Sequence, residues 1–154
     1  MALCVLPHTE KCLVYDADGQ VLGRIASMIA KNLLEGNDVA VVNAEKAIIS
    51  GKRKPMAAKY RTRLNLQEKE NPEHSPYWSR RPDMLFKRIV RGMLPYRRPR
   101  GKEAFRKLRV FMGEPEVLKS KERIKPKIKG AKEIYAGYIT LKDLSNTLGY
   151  NIDK

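Results

Sequence analysis

The side chains best suited to metal or nucleophilic chemistry are few in this chain. Cys4, His8 and Cys12 recur every four residues, a spacing that would place three ligands on one face of a helix. Pro7 opposes a helix there, and zinc usually takes four ligands. The only other histidine, His74, lies in no obvious motif. The pattern therefore favours buried or spare thiols in the reducing cytoplasm, with neither a metal site nor a catalytic one.

A glycine-containing turn after the first predicted strand raises the question of nucleotide binding. Residues 18–24 read Asp-Gly-Gln-Val-Leu-Gly-Arg. They match neither G-x-G-x-x-G nor G-x-x-x-x-G-K-[ST], so the glycines that let a backbone approach phosphate are missing. The favoured interpretation is structural: Gly19 turns the chain, and Gly23 lets the next helix approach the sheet. An enzyme that holds a nucleotide here is the rival hypothesis, although no nucleophile–base pair accompanies the turn.

Positive charge is the dominant chemical feature. The 154 residues include 32 Lys and Arg against 17 Asp and Glu, a formal net charge of +15. Residues 51–132 alone hold 26 basic and 8 acidic side chains, whereas the segments on either side are slightly acidic. Such a stretch repels itself unless a polyanion neutralises it, and nucleic acid is the commonest such partner. Arginine is as frequent as lysine here, and its planar guanidinium group suits phosphate. This composition favours phosphate binding over the alternative of a basic face that is only solvated.

A first basic helix is predicted within residues 51–63, with Pro55 in its opening turn. Met56, Tyr60 and Leu64 recur every four residues and form its apolar side. The cations at the start of this segment could bind phosphate through side chains and through free backbone N–H groups.

A second basic helix is predicted to start at Pro82. At 100° per residue, Lys87, Arg88 and Arg91 fall opposite an apolar arc, so one side should pack on the sheet while the other presents three cations. Residues 96–102 are then predicted to form a semi-extended basic loop. The apolar arc comprises Leu85, Phe86, Ile89, Val90 and Met93.

Residues 66–81 are predicted to form a loop between these helices. Tyr77 and Trp78 precede Arg80 and Arg81 in it. Aromatic rings beside arginines can stack on unpaired bases, but a Tyr-Trp pair more often anchors a loop on the core. The sequence leaves both interpretations open.

The remaining pattern predicts one α/β domain. A strand at 12–16, an amphipathic helix from Leu22 to Leu33 and a strand at 39–43 form a βαβ unit with parallel strands, and a third strand follows at 108–113. We expect a globule over 1–113 with basic helices and loops that bind a polyanion. We also expect a basic extension over 114–132 without its own core, ordered only on RNA, and a docking C-terminal helix within 133–154.

Five short motifs follow one another over about residues 12–113. They are Val21-Leu22-Gly23-Arg24 with Ala26, Val42-Asn43-Ala44-Glu45-Lys46, Gly51-Lys52, Arg91-Gly92-Met93-Leu94-Pro95, and Leu108-Arg109-Val110-Phe111 ending at Gly113. In this order they resemble the large-subunit ribosomal protein L-thirteen family. The departure at Glu114-Pro115, where bacterial members usually carry a His-containing stretch, and the C-terminal tail with its helix resemble the archaeal and eukaryotic branch.

The resemblance implies a three-layer α/β/α fold around a mainly parallel four-stranded sheet, bound to large-subunit rRNA beside neighbouring ribosomal proteins. It implies no catalysis, no cofactor, no small-molecule substrate and no membrane. An RNA-binding regulator of translation away from the ribosome stays an alternative that composition does not separate. The residues expected to bind rRNA are Lys52, Arg53, Lys54, Lys59, Arg61, Arg63, Arg80, Arg81, Lys87, Arg88, Arg91, Arg97, Arg98, Arg100, Lys102, Arg106 and Lys107.

Overall fold

The computed structural model describes residues 12–126 and 137–151, which contain six strands, six α-helices and two 3-10 turns. The strands are β1 (Cys12–Asp16), β2 (Asp38–Val42), β3 (Ile48–Ser50), β4 (Leu108–Val110), β5 (Arg123–Ile124) and β6 (Tyr138–Thr140). The helices are α1 (Leu22–Leu34), α2 (Arg53–Leu64), α3 (Pro82–Met93), α4 (Pro99–Arg106), α5 (Glu116–Lys119) and α6 (Leu141–Thr147). The 3-10 turns are Ala44–Lys46 and Pro72–His74.

The predicted βαβ unit is confirmed. β1 and β2 run parallel, with Cys12 opposite Asp38 and Asp16 opposite Val42. Gly36 follows α1 with a φ of 97°, a left-handed conformation that favours glycine at the end of a helix. Full burial of one large aliphatic side chain contributes about 1.5–3 kcal/mol, so the buried side of α1 fixes it firmly. That side comprises Leu22, Ile25, Ala26, Ile29, Ala30 and Leu33.

The two glycines after β1 differ from each other. Gly19 has a φ of 64° and turns the chain, as predicted. The prediction for Gly23 is wrong. It lies on the exposed side of α1, and a Cβ built there would meet no atom within 4 Å, so close packing does not require glycine.

The main sheet has four strands in the order β4-β2-β1-β5, and each neighbouring pair is parallel. One face carries Tyr15, Val39 and Val41 into the large core beneath α1, α3 and α4. The opposite face carries Val14, Ala40 and Val42, together with Leu118 of α5. Helices therefore lie on both faces of the sheet, which confirms the predicted three-layer α/β/α class.

The second basic helix, α3, faces the core as predicted, but its buried stripe is shorter. Leu85, Phe86 and Val90 are buried and pack against α1 and β4. Met93 is 42% exposed, which corrects its assignment to the apolar arc. The stripe ends earlier because Met93 is the last residue of α3 and the buried Leu94 takes over its place in the core.

Two predictions about irregular segments are wrong. Residues 99–102 do not continue the loop, because Pro99 opens α4. Residues 114–126 do not form an extension without packing: Leu118 is buried under the sheet and β5 pairs with β1, Val14 opposite Arg123. Residues 127–132 of the predicted extension lie outside the described residues.

The C-terminal helix packs on the globule beside a small sheet that the sequence did not predict. β3 and β6 pair antiparallel, with Ile49 opposite Ile139. Thr140 then caps α6, its Oγ1 accepting from the Asp143 N–H at 3.1 Å. The buried apolar stripe here comprises Leu141, Leu144 and Leu148.

Candidate nucleic-acid interface

α2 contacts the globule along a narrow line, and its cations lie on the remaining, exposed part of the helix. Within α2 the buried residues are Ala57 and Tyr60, so most of its circumference faces solvent. In the described part of the chain, no side chain caps its first turn, and the N–H groups there add to the positive charge. The exposed cations of this region are Lys52, Arg53, Lys54, Lys59 and Arg61.

Trp78 joins this helix to α3. Two guanidinium groups contact its indole, with Arg63 at 4.9 Å and Arg88 at 3.7 Å from the ring centroid. Tyr60 meets the indole edge-on, with 6.4 Å between ring centroids. Cation–π contacts contribute about 0.5–1 kcal/mol each when exposed, and more when desolvated. Trp78 therefore anchors its loop, and the basic side chains of α2 and α3 meet in one surface.

Positive charge is most crowded around Arg88. Burial lowers the pKa of Arg88, and the neighbouring charges of Arg91 and Arg63 lower it further. Arg88 Nη1 also donates to the carbonyl oxygen of Tyr77 at 2.6 Å, which fixes the backbone before Trp78. A guanidinium whose charge is disfavoured by its neighbours marks a place where an anion would relieve repulsion.

Two of the predicted site residues hold the end of α1 instead of pointing freely into solvent. Arg100 donates from Nη2 to the Leu34 carbonyl at 3.1 Å, and Lys107 Nζ donates to the Gly36 carbonyl at 2.8 Å. Cations at the carboxyl end of a helix satisfy unpaired carbonyl groups and complement the helix dipole. Arg100 and Lys107 are therefore partly committed to the fold.

Two further predicted cations also have partners within the chain. Arg81 forms a bidentate ion pair with Asp83, with nitrogen–oxygen distances of 3.2 and 2.9 Å. Arg61 donates to the Thr147 carbonyl at 3.3 Å and so links α2 to α6. These contacts reduce what each guanidinium can offer to an external anion.

The other predicted cations, apart from the ring-stacked arginines, make no ion pair or side-chain hydrogen bond within residues 12–126 and 137–151. Arg91 is one of the stacked arginines, with its guanidinium 5.1 Å from the centroid of the Tyr96 ring. Lys87 is half-buried and the rest of the unpaired cations are exposed. The unpaired cations are Lys52, Arg53, Lys54, Lys59, Arg80, Lys87, Arg97, Arg98, Lys102 and Arg106.

Metal and membrane features were searched over the same ranges. No three His, Cys, Asp or Glu side chains come together there in a way that could hold a metal ion. Cys4 and His8 lie outside the described residues, so the Cys-His-Cys spacing has no structural counterpart here. Among the described helices, none combines the length and the apolar composition needed to cross a bilayer.

Sequence comparison identifies the family. Residues 10–117 match the family model described as ribosomal protein L13, which is well over half of the 154 residues. The chain belongs to the ribosomal protein L13 family. This confirms the resemblance drawn from the five motifs, and the matched segment includes every cation from Lys52 to Arg109.

Three archaeal relatives of the family show how far the similarity extends. Each is named large ribosomal subunit protein uL13. The protein from Methanopyrus kandleri is 39% identical over 146 residues, covering 93% of this chain and 90% of the relative. The Archaeoglobus fulgidus protein is 43% identical over 89% of this chain and 87% of its own length. The Methanosarcina barkeri protein is 47% identical over 72% and 78%, respectively.

A polar network that we did not predict lies at the carboxyl ends of β1 and β2, with Asp16 and Asn43 buried at its centre. Asn43, in a left-handed conformation with a φ of 56°, donates from Nδ2 to Asp16 Oδ1 at 3.1 Å and to Glu114 Oε1 at 3.0 Å. Asn43 and Glu45 belong to one of the family motifs. Glu45 Oε2 accepts the Gly113 N–H at 3.0 Å, so this motif makes structural contacts. Its signal in the sequence was an asparagine directly after a buried strand.

Ion pairs close the network on the side of β5. Arg123 donates to both carboxylate oxygens of Glu114, at 2.8 and 3.0 Å, and Lys125 Nζ lies 3.2 Å from Asp16 Oδ2. Burial raises the pKa of Asp16, but hydrogen bonds from Asn43, the Asp18 N–H and Lys125 outweigh burial, and the pKa is lowered. Hydrogen bonds from Asn43 and Arg123 likewise lower the pKa of Glu114.

Proposed function

We propose that this protein is a structural constituent of the large subunit of cytoplasmic ribosomes, where it binds large-subunit rRNA and performs no catalysis. The observation that carries the proposal is the joined basic surface of α2, α3 and α4 on a member of the ribosomal protein L13 family. The relatives bear the name large ribosomal subunit protein uL13, which agrees with such a surface.

The unpaired cations are proposed to contact phosphate directly. Arg63, Arg88 and Arg91 are held against aromatic rings, so they can present their remaining N–H groups with little loss of side-chain entropy. Recognition is then mainly of phosphates and RNA shape, with few hydrogen bonds to base edges. The remaining surface is available to neighbouring ribosomal proteins.

Side chains fill the carboxyl edge of the sheet, which favours a non-catalytic function over the alternative of an enzyme that binds a nucleotide there. In open α/β sheets, ligands bind beyond the carboxyl ends of the strands, where the strand order reverses. Here the order reverses between β1 and β5, because the chain builds β2 and β4 on one side of β1 and β5 on the other. Asp16 and Lys125 fill that position with their ion pair.

The test is binding of the full chain to deproteinised large-subunit rRNA from Archaeoglobus fulgidus, with small-subunit rRNA as comparator. Lys59→Glu combined with Arg98→Glu removes two unpaired cations from the proposed interface. Each lost phosphate contact should lower the slope of log affinity against log salt by about 1, so this variant should lower it by roughly 2.

Lys31→Glu combined with Lys46→Glu is the matched control, since it changes the net charge equally at exposed sites outside the basic segment. It should leave the slope nearly unchanged. Equal affinity of the wild type for both rRNAs would refute selective binding of large-subunit rRNA, and equal weakening by the two double variants would refute binding through this surface. Sedimentation with large subunits in a cell lysate separates ribosomal residence from a regulator that acts away from the ribosome.

A further inference from the structure

The neighbouring aromatics Tyr77 and Trp78 lie in opposite environments. Trp78 is half-buried and contacts the guanidinium groups of Arg63 and Arg88, whereas the Tyr77 side chain is exposed, with 85% of the residue accessible. The backbone that carries Tyr77 is nevertheless fixed, because its carbonyl accepts the 2.6 Å hydrogen bond from Arg88. An exposed ring on a fixed backbone offers a flat apolar face to a ligand.

Tyr77 forms one wall of a groove of about 290 Å³ between its loop, α3 and α4. Met84, 47% exposed, and Phe105 supply further apolar surface. The Phe105 ring is held edge-on by Tyr96, with 5.5 Å between centroids, so this wall is also rigid. The volume is close to the lower end of the range for small-ligand sites, about 300 Å³.

The charge around the groove has one sign. Lys87, Arg88 and Arg91 line it, and no carboxylate does so among the described residues. The closest acidic residue in sequence on α3, Asp83, is buried and engaged by Arg81. An apolar slot flanked by cations is complementary to a flat, neutral group that carries anionic groups on either side.

We propose that this groove holds one unpaired nucleobase of RNA. The base stacks on the Tyr77 ring, and its two adjoining phosphates lie on Lys87, Arg88 and Arg91. This inference rests on the proposed function, and it adds a base-stacking site to a surface that otherwise contacts phosphates. Base–aromatic stacking tolerates any of the four bases, so the site reads an extruded nucleotide by shape and not by sequence.

The experiment compares the full chain on two probes: a short RNA duplex with one bulged 2-aminopurine, and the same duplex fully paired. The wild type should bind the bulged probe about tenfold more tightly, within the range that one base–aromatic stack contributes, and should quench its fluorescence. Tyr77→Ala should abolish both the preference and the quenching, and Tyr77→Phe should keep both. Tyr138→Ala, which removes another exposed tyrosine outside the groove, should behave as wild type.

The outcomes separate this inference from the proposed function. Equal binding of both probes by the wild type, with the expected salt dependence, overturns the base site and leaves rRNA binding standing. Equal weakening of both probes by Tyr77→Ala also overturns it, since a stacked base would be absent from the paired probe. Failure to bind either probe or the deproteinised rRNA refutes the proposed function itself.

Discussion

Gly101→Ala should destabilise the protein even though alanine favours helices more than glycine does. Gly101 lies in the first turn of α4, and a Cβ built on it would be 2.2 Å from the Pro95 carbonyl oxygen and 2.4 Å from the Pro95 carbonyl carbon. Real contacts stay beyond 3.0 Å, so the backbone must move by about 0.8 Å or more. The same carbonyl accepts the Arg98 N–H at 2.9 Å, and this bond would be strained too.

The expected net loss is about 0.5–4.5 kcal/mol. Overpacking against backbone costs about 1–3 kcal/mol, a weakened hydrogen bond about 0.5–1.5 kcal/mol, and the gain in helix propensity offsets up to about 1 kcal/mol. Urea unfolding followed by circular dichroism measures this difference. The rRNA affinity should fall as well, because the displaced turn carries Arg97 and Arg98.

Gly92→Ala is the matched control, because Gly92 also lies in a helix without a positive φ and its Cβ would meet no atom within 4 Å. It should raise the free energy of unfolding by about 0.4–1 kcal/mol. The two substitutions are chemically identical, so opposite signs isolate the close approach at Gly101. If Gly101→Ala proved as stable as Gly92→Ala, the close approach of the 95–98 turn to α4 would be wrong.

Two further predictions concern polar groups that lie inside the fold or at the edge of its sheet. The Ser145 hydroxyl is fully buried without a hydrogen-bond partner among the described residues, so Ser145→Ala should leave the free energy of urea unfolding unchanged or raise it by up to about 1 kcal/mol; a clear loss would reveal an unrecognised bond. The pKa values of Asp16 and Glu114 are lowered in the folded state, so the two ionised carboxylates stabilise the fold fully at pH values above their ordinary pKa of about 4. This stabilisation should be lost as the pH falls through the lowered folded-state pKa values. Asp16→Asn should flatten that dependence in urea unfolding measured from neutral to acid pH; an unchanged profile would contradict the assignment.

The elements that the sequence predicts well are those with several large apolar residues at a fixed period. α1 buries a stripe along three turns, α3 buries Leu85, Phe86 and Val90, and β1 and β2 are mostly buried runs. α4 escaped prediction for a physical reason: its buried residues are Gly101 and Ala104, which carry almost no hydrophobic signal. β5 has two residues, and its pairing depends on ion pairs that no periodicity reports.

The residues of the candidate site were predictable from the sequence, but the different contacts that each of its cations makes were not. Residue type alone made Lys87 and Arg88 equivalent members of one basic helix face. The structure distinguishes them, because Arg88 stacks on Trp78 while Lys87 makes no ion pair or side-chain hydrogen bond among the described residues. Likewise, Arg100 caps α1 from a helix that was itself not predicted. Such assignments depend on contacts between residues far apart in the chain.

The location of the basic surface follows from how the fold uses its sheet. The carboxyl edge, where α/β proteins commonly bind small ligands, is filled by Asp16, Asn43, Glu114 and their cations, and these contacts hold β5 against β1. The surface left for recognition is formed by helices and their connecting turns, and its cations are spread along α2, α3 and α4. A dispersed array of cations matches a polyanion with regularly spaced charges better than a compact metabolite, because each contact adds a separate phosphate. The polar network at the carboxyl edge and the cations of α2, α3 and α4 share no side chain. Acidification or Asp16→Asn should therefore lower the free energy of unfolding before it changes the slope of RNA affinity against salt.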